Sequence, residues 1–414
     1  MKYNKMKKIF TILSIFVLPV FIFIACEDKP SVYAFPADKY IYDIPDVPVT
    51  EDYVVGVPYD TKYRDTTYNM WWDAGKKAQQ LYTGHPVLGE YDTKKDEDVL
   101  RQHLDWGKQA GINFFILSWG GHGYNDTILT RWEQLYAQDP ARPKVVIRFD
   151  PGYRFGGKDT LQWNLPRMDS LRFDFDSVYA HVMTHDFAYK KSGKPVMIFC
   201  NFTNAGQIPR LNNFITFLKA APSVQNNVWL MAELGGGWHS PEQWGYNAAN
   251  GYVNGPTAGY VRADSIKPFD AFFVTDITHN NYDRFYSQYS YLDYNYKYWQ
   301  DRLKPLGKEW IPTIHPGFDD RVNTPGSNLY LIPRWKDGTG AYAISSSVTG
   351  TQYDFSNFTE NPYKKWANVA KRNVGDSRIV LIYNWNDFSS GKNLEPVTEF
   401  GTDYLDYTRQ FFKK

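Results

Sequence analysis

From Val54 onward the chain alternates short apolar runs with longer segments of mixed polarity, and each run stops at a polar or glycine-rich stretch. The runs occupy 54–59, 111–121, 144–151, 195–202, 228–233, 271–276, 310–314 and 379–383. Helical segments are predicted at 96–110, 170–191, 291–304, 362–372 and 404–412. Runs that are apolar at consecutive positions suit strands buried on both faces, and such strands lie parallel under covering helices. Eight of them predict an α/β fold of the (β/α)8 TIM-barrel type, formed by 53–414 as a single domain with long βα loops. A doubly wound open sheet usually carries a glycine-rich phosphate loop after its first strand; here that place reads Val57-Pro58-Tyr59-Asp60.

In a barrel the chemistry sits at the carboxyl ends of the strands. The last run delivers Trp385-Asn386-Asp387-Phe388 there and turns through Ser389-Ser390-Gly391, with Leu394-Glu395 following. Upstream come Leu88-Gly89-Glu90-Tyr91, an acidic cluster, His103, and Leu117-Ser118-Trp119 at the end of the second run. The third run ends Phe149-Asp150-Pro151, and the seventh leads into His315-Pro316-Gly317-Phe318-Asp319-Asp320-Arg321. In this order the four segments resemble the glycoside hydrolase family 99 endo-α-mannosidases, whose last strand ends Asn-Glu-Trp-His-Glu-Gly followed by Ile-Glu. The resemblance spans about 54–396.

The resemblance implies a hydrolase of α-linked, mannose-containing glycans whose two carboxyl groups both come from the last strand. Asp387 takes the first position, one methylene short; a misplacement on the order of 1 Å can cost about a hundredfold in rate. Ser390 takes the second, where a hydroxyl is too weak an acid to release a proton near neutrality. Three outcomes stay open. Another carboxylate supplies the acid, Glu233 at the end of the fifth run first and Asp150 second; or the leaving group or linkage differs; or the barrel binds glycan without cleaving it. Trp119, Asp150, Asp319, His315, Trp385 and Asn386 are candidate sugar contacts. Each has a plainer reading: Asp387 as a cap of the Ser-Ser-Gly turn, Asp150 as a partner of Arg148, Trp119 as packing, Asp319 in a loop ion pair.

His122, His239, His279 and His315 each follow a predicted strand, yet none shows zinc-ligand spacing, so neither metal nor cofactor is expected. No Gly-x-Ser-x-Gly elbow or phosphate loop points to an esterase or kinase. Lys+Arg 46 against Asp+Glu 45 leaves +1 without a basic run, which gives nucleic-acid binding no electrostatic support. Aromatic residues make up 18%, with 32 Tyr and 14 Trp, and such rings are the usual platforms for sugar faces.

Lys2, Lys5, Lys7 and Lys8 precede an apolar stretch that ends Phe23-Ile24-Ala25-Cys26. That is the pattern of a bacterial lipoprotein signal peptide over 1–25, cleaved before a lipidated Cys26. Glu27-Asp28 resembles the acidic export signal of many Bacteroidetes lipoproteins. Residues 26–52, with Pro30, Pro36, Pro45 and Pro48, read as a stiff tether. The expectation is a monomer on the bacterial outer membrane, facing the periplasm or the cell exterior. Cys200 is then the single free thiol, in an apolar run where a buried core role is expected.

Overall fold

A computed structural model describes residues 42–63, 84–150, 165–202, 227–234, 269–274, 288–319, 332–342 and 359–414. The expected signal peptide, Cys26, the glycine-rich stretch at 235–259, His239, His279, Asp320 and Arg321 lie outside them.

The described strands are β1 (Val54–Tyr59), β2 (Phe114–Trp119), β3 (Lys144–Phe149), β4 (Lys190–Lys191), β5 (Lys194–Phe202), β6 (Trp229–Leu234), β7 (Ala271–Val274), β8 (Glu309–Trp310), β9 (Thr313–Ile314), β10 (Arg334–Lys336), β11 (Gly340–Tyr342) and β12 (Ile379–Ile382). The main sheet runs β8-β7-β6-β5-β3-β2-β1-β12-β9, every neighbour parallel, with β4 antiparallel on β5. It is a curled, mostly parallel sheet on a TIM-barrel-like scaffold. The seventh run yields two two-residue strands in place of one full strand: β8 pairs with β7, β9 pairs with β12, and Ile311-Pro312 lies between them. Proline donates no ladder hydrogen bond, which explains the interruption.

Alternation along the strands separates two cores. Phe114, Ile116, Val146, Val196, Ile198, Met231, Ala271, Ile311 and Leu381 belong to a cluster built almost wholly from strands, the inside of the curl. Phe115, Leu117, Ile147, Met197, Phe199 and Val380 pack outward into a larger cluster that takes in the helices. The inner face is crowded at Gly56, where a Cβ would lie 2.2 Å from the Phe114 ring and 2.9 Å from Leu381.

The helices are α1 (Glu97–Ala110), α2 (Tyr124–Gln138), α3 (Leu165–Val178), α4 (Gln288–Leu303), α5 (Pro362–Arg372) and α6 (Asp403–Phe412). Gly111 ends α1 in the left-handed conformation at φ 74°, which a glycine adopts without strain. Asn361 caps α5 by accepting the Tyr363 N–H at 3.0 Å, and Pro362 takes the first helical position. The helix expected at 170–191 stops early: α3 passes into a π-helical turn at Tyr179–Met183, and Lys190–Lys191 folds back on β5 through Ser192 and Gly193, both at positive φ.

The last residues of the segment expected as a tether touch the helices. Tyr42 bonds Asp293 Oδ2 of α4 at 2.9 Å, Asp46 accepts from Lys364 at 2.6 Å and from Asn368 at 2.8 Å, and Ile44 is buried. From Tyr42 onward this segment is docked on α4 and α5. Among the described residues no helix is long and apolar enough to cross a membrane.

Candidate active site

The carboxyl ends of β1, β2, β3 and β12 surround a cleft of about 440 Å³. Ser118, Arg148 and Glu233 continue the inward-facing alternation of Ile116, Val146 and Met231, so all three reach the same mouth. Arg148 donates from Nε to Glu233 Oε2 at 2.8 Å and from Nη1 to Ser118 Oγ at 3.1 Å. Asp150, partly exposed, also lines the cleft, and its N–H is held by the Trp119 carbonyl at 3.0 Å.

The turn after β12 is built around Asn384, a cleft-lining residue whose Oδ1 accepts the N–H groups of Asn386 at 2.7 Å and Asp387 at 2.8 Å. Asp387 is half-buried. Its Oδ1 accepts the Ser389 hydroxyl at 2.7 Å and the Ser390 N–H at 3.3 Å, and its Oδ2 accepts the Ser390 hydroxyl at 2.5 Å. Both the catalytic and the turn-capping readings of Asp387 therefore meet in one carboxylate. Ser390, at the position where the family has its second carboxyl group, is a hydrogen-bond donor to the first.

Sequence reasoning missed Asp60, at the carboxyl end of β1. It lines the cleft, and its backbone is clamped by Asn386, whose Oδ1 accepts the Asp60 N–H at 2.8 Å and whose Nδ2 donates to the Asp60 carbonyl at 2.9 Å. Burial pushes its carboxyl above the usual carboxylate range. Lys62 draws it down by charge and by its N–H at 2.9 Å on Oδ1, the Asp387 charge pushes it further up, and Arg148 lowers it. The phenol of Tyr63 is also pushed well up, by burial first and then by the charges of Asp387 and Asp60, so the two aspartates share one neighbourhood. The one available signal was position: a lone Asp directly after a buried strand.

Behind the turn lies a closed polar network. His103 Nε2 is 3.2 Å from Glu395 Oε1, with neither side chain exposed. Tyr59 Oη meets His103 Nδ1 at 3.0 Å, Tyr91 donates to Glu395 Oε2 at 2.6 Å, and Asn386 Nδ2 reaches the Tyr91 hydroxyl at 3.2 Å. Tyr63 donates to the Asn386 carbonyl. A second brace comes from Arg334 of β10, whose Nη2 donates to the carbonyls of Gly391 at 2.9 Å and Asn393 at 2.5 Å while its guanidinium stacks 4.4 Å from the Tyr404 ring. Asp319 is tied in through its N–H, which donates to the Ser390 carbonyl at 2.8 Å.

Several expected sugar contacts are largely covered by protein. Trp119 is 0% exposed on the outward face of β2, parallel to Phe149 at 5.7 Å, and its indole N–H donates to Asp126 of α2 at 2.9 Å. Trp385 is 0% exposed against Phe115 and His103. In this arrangement both rings pack against protein partners. His315 is buried beside Tyr383, and buried Asn386 acts on protein partners through its side chain. His122 pairs with Asp126 at 3.2 Å; among the described residues no group of three or more His, Cys, Asp or Glu is arranged to hold a metal ion.

The sequence matches no protein-family profile and no curated protein sequence. Among solved structures, the chain superposes with TM-score 0.63 on a protein described as glycoside hydrolase-like, at 19% identity over 92% of this chain and 99% of that one. The family 99 endo-α-mannosidase of Bacteroides thetaiotaomicron superposes with TM-score 0.53 at 16% identity, over 87% of this chain and 97% of that one. Its complex with bis-tris-propane superposes with TM-score 0.54 at 15% identity over the same shares, 87% and 97%. At these identities the likeness is one of fold. The chain has a glycoside-hydrolase-like fold, distantly related to that of family 99 endo-α-mannosidases.

Proposed function

We propose that this protein is a glycoside hydrolase that cleaves α-linked, mannose-containing glycans in the cleft at the mouth of the sheet. The observation that carries the reading is that Asn384, whose side chain accepts the Asp387 N–H, lines a polar cleft of about 440 Å³ at the carboxyl ends of the parallel strands, with the Asp387 charge acting on Asp60 in that cleft. Glycosidases work with two carboxyl groups flanking the scissile bond. Asp387 is one; Arg148, Asp150, Ser118 and Lys62 offer the donors and acceptors that sugar hydroxyls require. Glu233, held by Arg148, is the second carboxyl group that the sequence nominates, and Asp319 supports the turn through its backbone. Strands β8 and β9 together take the seventh position of a (β/α)8-type barrel in this reading, supported by the pairing of β8 with β7 and of β9 with β12. The protein acts from a lipid anchor on Cys26 at the bacterial outer membrane, supported by the basic and then apolar residues before that cysteine.

A second reading has its own observation. Three hydrogen bonds to Asp387 from within its turn are what a structural cap also shows, which favours a lipoprotein that binds glycan without cleaving it. One experiment separates the two. Purified protein and its Asp387→Ala variant are incubated with α-mannans and related α-glycans, and released oligosaccharides are followed. Products from the wild type that disappear in the variant support the hydrolase; glycan retention by both proteins with no products supports the binder.

A further inference from the structure

We infer that Asp60 is the proton-donating carboxyl group of this cleft and that Asn386 sets its position against Asp387. The inference rests on the hydrolase reading and supplies the acid that Ser390 cannot.

The geometry is that of one amide holding the backbone of one aspartate while standing next to the other in the chain. Asn386 precedes Asp387 in the chain, and its side chain bonds both the N–H and the carbonyl of Asp60, at 2.8 and 2.9 Å. The same amide reaches Tyr91 at 3.2 Å in the buried network, so its orientation is fixed from behind. A shift of the turn therefore carries both aspartates together, which is the preorganisation that proton transfer at a glycosidic bond demands. The other carboxyl candidate, Glu233, is occupied by the Arg148 guanidinium at 2.8 Å, a partner for a carboxylate and not for an acid.

The environments of the two aspartates differ in the sense that acid and base roles require. The charged or titratable groups facing Asp60 are Lys62 on its own segment, Arg148 from β3 and Asp387 from the turn after β12, with Asp150 and His122 further along the cleft. Burial and the Asp387 charge favour a retained proton on Asp60; Lys62 and Arg148 oppose it. Asp387 instead accepts three hydrogen bonds from its own turn, two on Oδ1 and one on Oδ2.

In the reaction, the Asp60 O–H proton passes to the glycosidic oxygen as the bond from that oxygen to the anomeric carbon breaks, its electron pair staying on oxygen. The Asp387 carboxylate faces the positive charge that develops on the sugar. A water oxygen bonds to the anomeric carbon, and the proton it loses returns to Asp60, leaving two hydroxyl groups in place of one glycosidic bond and one water.

The test compares the full chain with its Asp60→Asn variant on two probes, yeast α-mannan and 2,4-dinitrophenyl α-mannoside, whose leaving group departs without protonation. The expected result is a loss of at least about 100-fold in kcat on mannan, a loss under about 10-fold on the dinitrophenyl glycoside, and disappearance of the alkaline limb of the mannan pH profile. Equal losses on both probes, or a retained alkaline limb, would overturn the donor role. The Asp60 carboxyl is also titrated by carbon-13 NMR in wild type and in Asp387→Asn, with a lower apparent pKa expected in the variant. An unmoved titration overturns the pairing whatever the activity. A moved titration in a wild type that turns over neither probe upholds the pairing and overturns the hydrolase reading alone.

Discussion

The turn that carries Asp387 has two unlike sides. Its cleft side holds Asp60, Arg148 and Asp150, with the Asp387 charge acting on Asp60, and all four are left partly open to solvent. Its inner side holds Tyr59, His103, Tyr91 and Glu395, polar groups sealed from water and joined to one another. The residues that match the family 99 motifs divide along this line. Tyr91, His103 and Glu395 fall on the sealed side, whereas Asp387, the first departure, is partly exposed on the side of Asp60. A buried polar network is costly to alter piecemeal because each lost partner strands another group. A solvated cleft tolerates exchange, and its chemistry is free to differ on the same support.

The contrast can be broken by substitutions on either side. Asp387→Ala should lower the rate by about 10²–10⁴-fold while stability falls by less than about 2 kcal/mol, measured by product release and urea unfolding. A large stability loss with little rate loss would place Asp387 on the structural side. Glu395→Ala strips His103 and Tyr91 of a sealed partner and should cost about 3–5 kcal/mol in urea unfolding, with Glu395→Gln costing less. A neutral Glu395→Ala would remove the distinction between the two sides. Trp119→Phe deletes a buried indole and its bond to Asp126, so about 1–2 kcal/mol of stability should be lost with KM unchanged. A several-fold rise in KM at full stability would return Trp119 to the cleft.

The smallest effect lies away from both sides and tests burial alone. Burial pulls Lys371, against the Val47 carbonyl, and Lys413, against the Tyr53 carbonyl, from 10.5 to about 8. Between about pH 8 and 10 the unfolded chain then holds more protons on these lysines than the folded one, so stability should rise with pH in that window. Lys371→Met and Lys413→Met should flatten the rise, read as Tm against pH.

Strands β1, β2, β3, β5, β6, β7 and β12 were legible because each is a continuous apolar run, and α5 was legible to the residue because Asn361-Pro362 marks its start. Strand β4, only Lys190–Lys191, fell inside an expected helix, and two further elements were not read. Helix α2 has no strong apolar stripe, and the β10–β11 hairpin is only three residues on a side. The site was legible in part: Asp387 and Asp150 were found by position, whereas Asp60 differs from any other strand-end aspartate only through burial beside Arg148 and Asp387.

Composition and run pattern by themselves determined a parallel α/β fold, the end of the strands where polar residues gather, and a nearly even charge balance. Tertiary structure alone decided which face each residue takes. When a strand is apolar on both sides, alternation cannot say which side is inner, and it is Ser118, not its neighbour Trp119, that lines the cleft at the end of β2. It also decided which carboxyl groups become neighbours, because Asp60 and Asp387 meet only when β1 and β12 pair across more than three hundred residues.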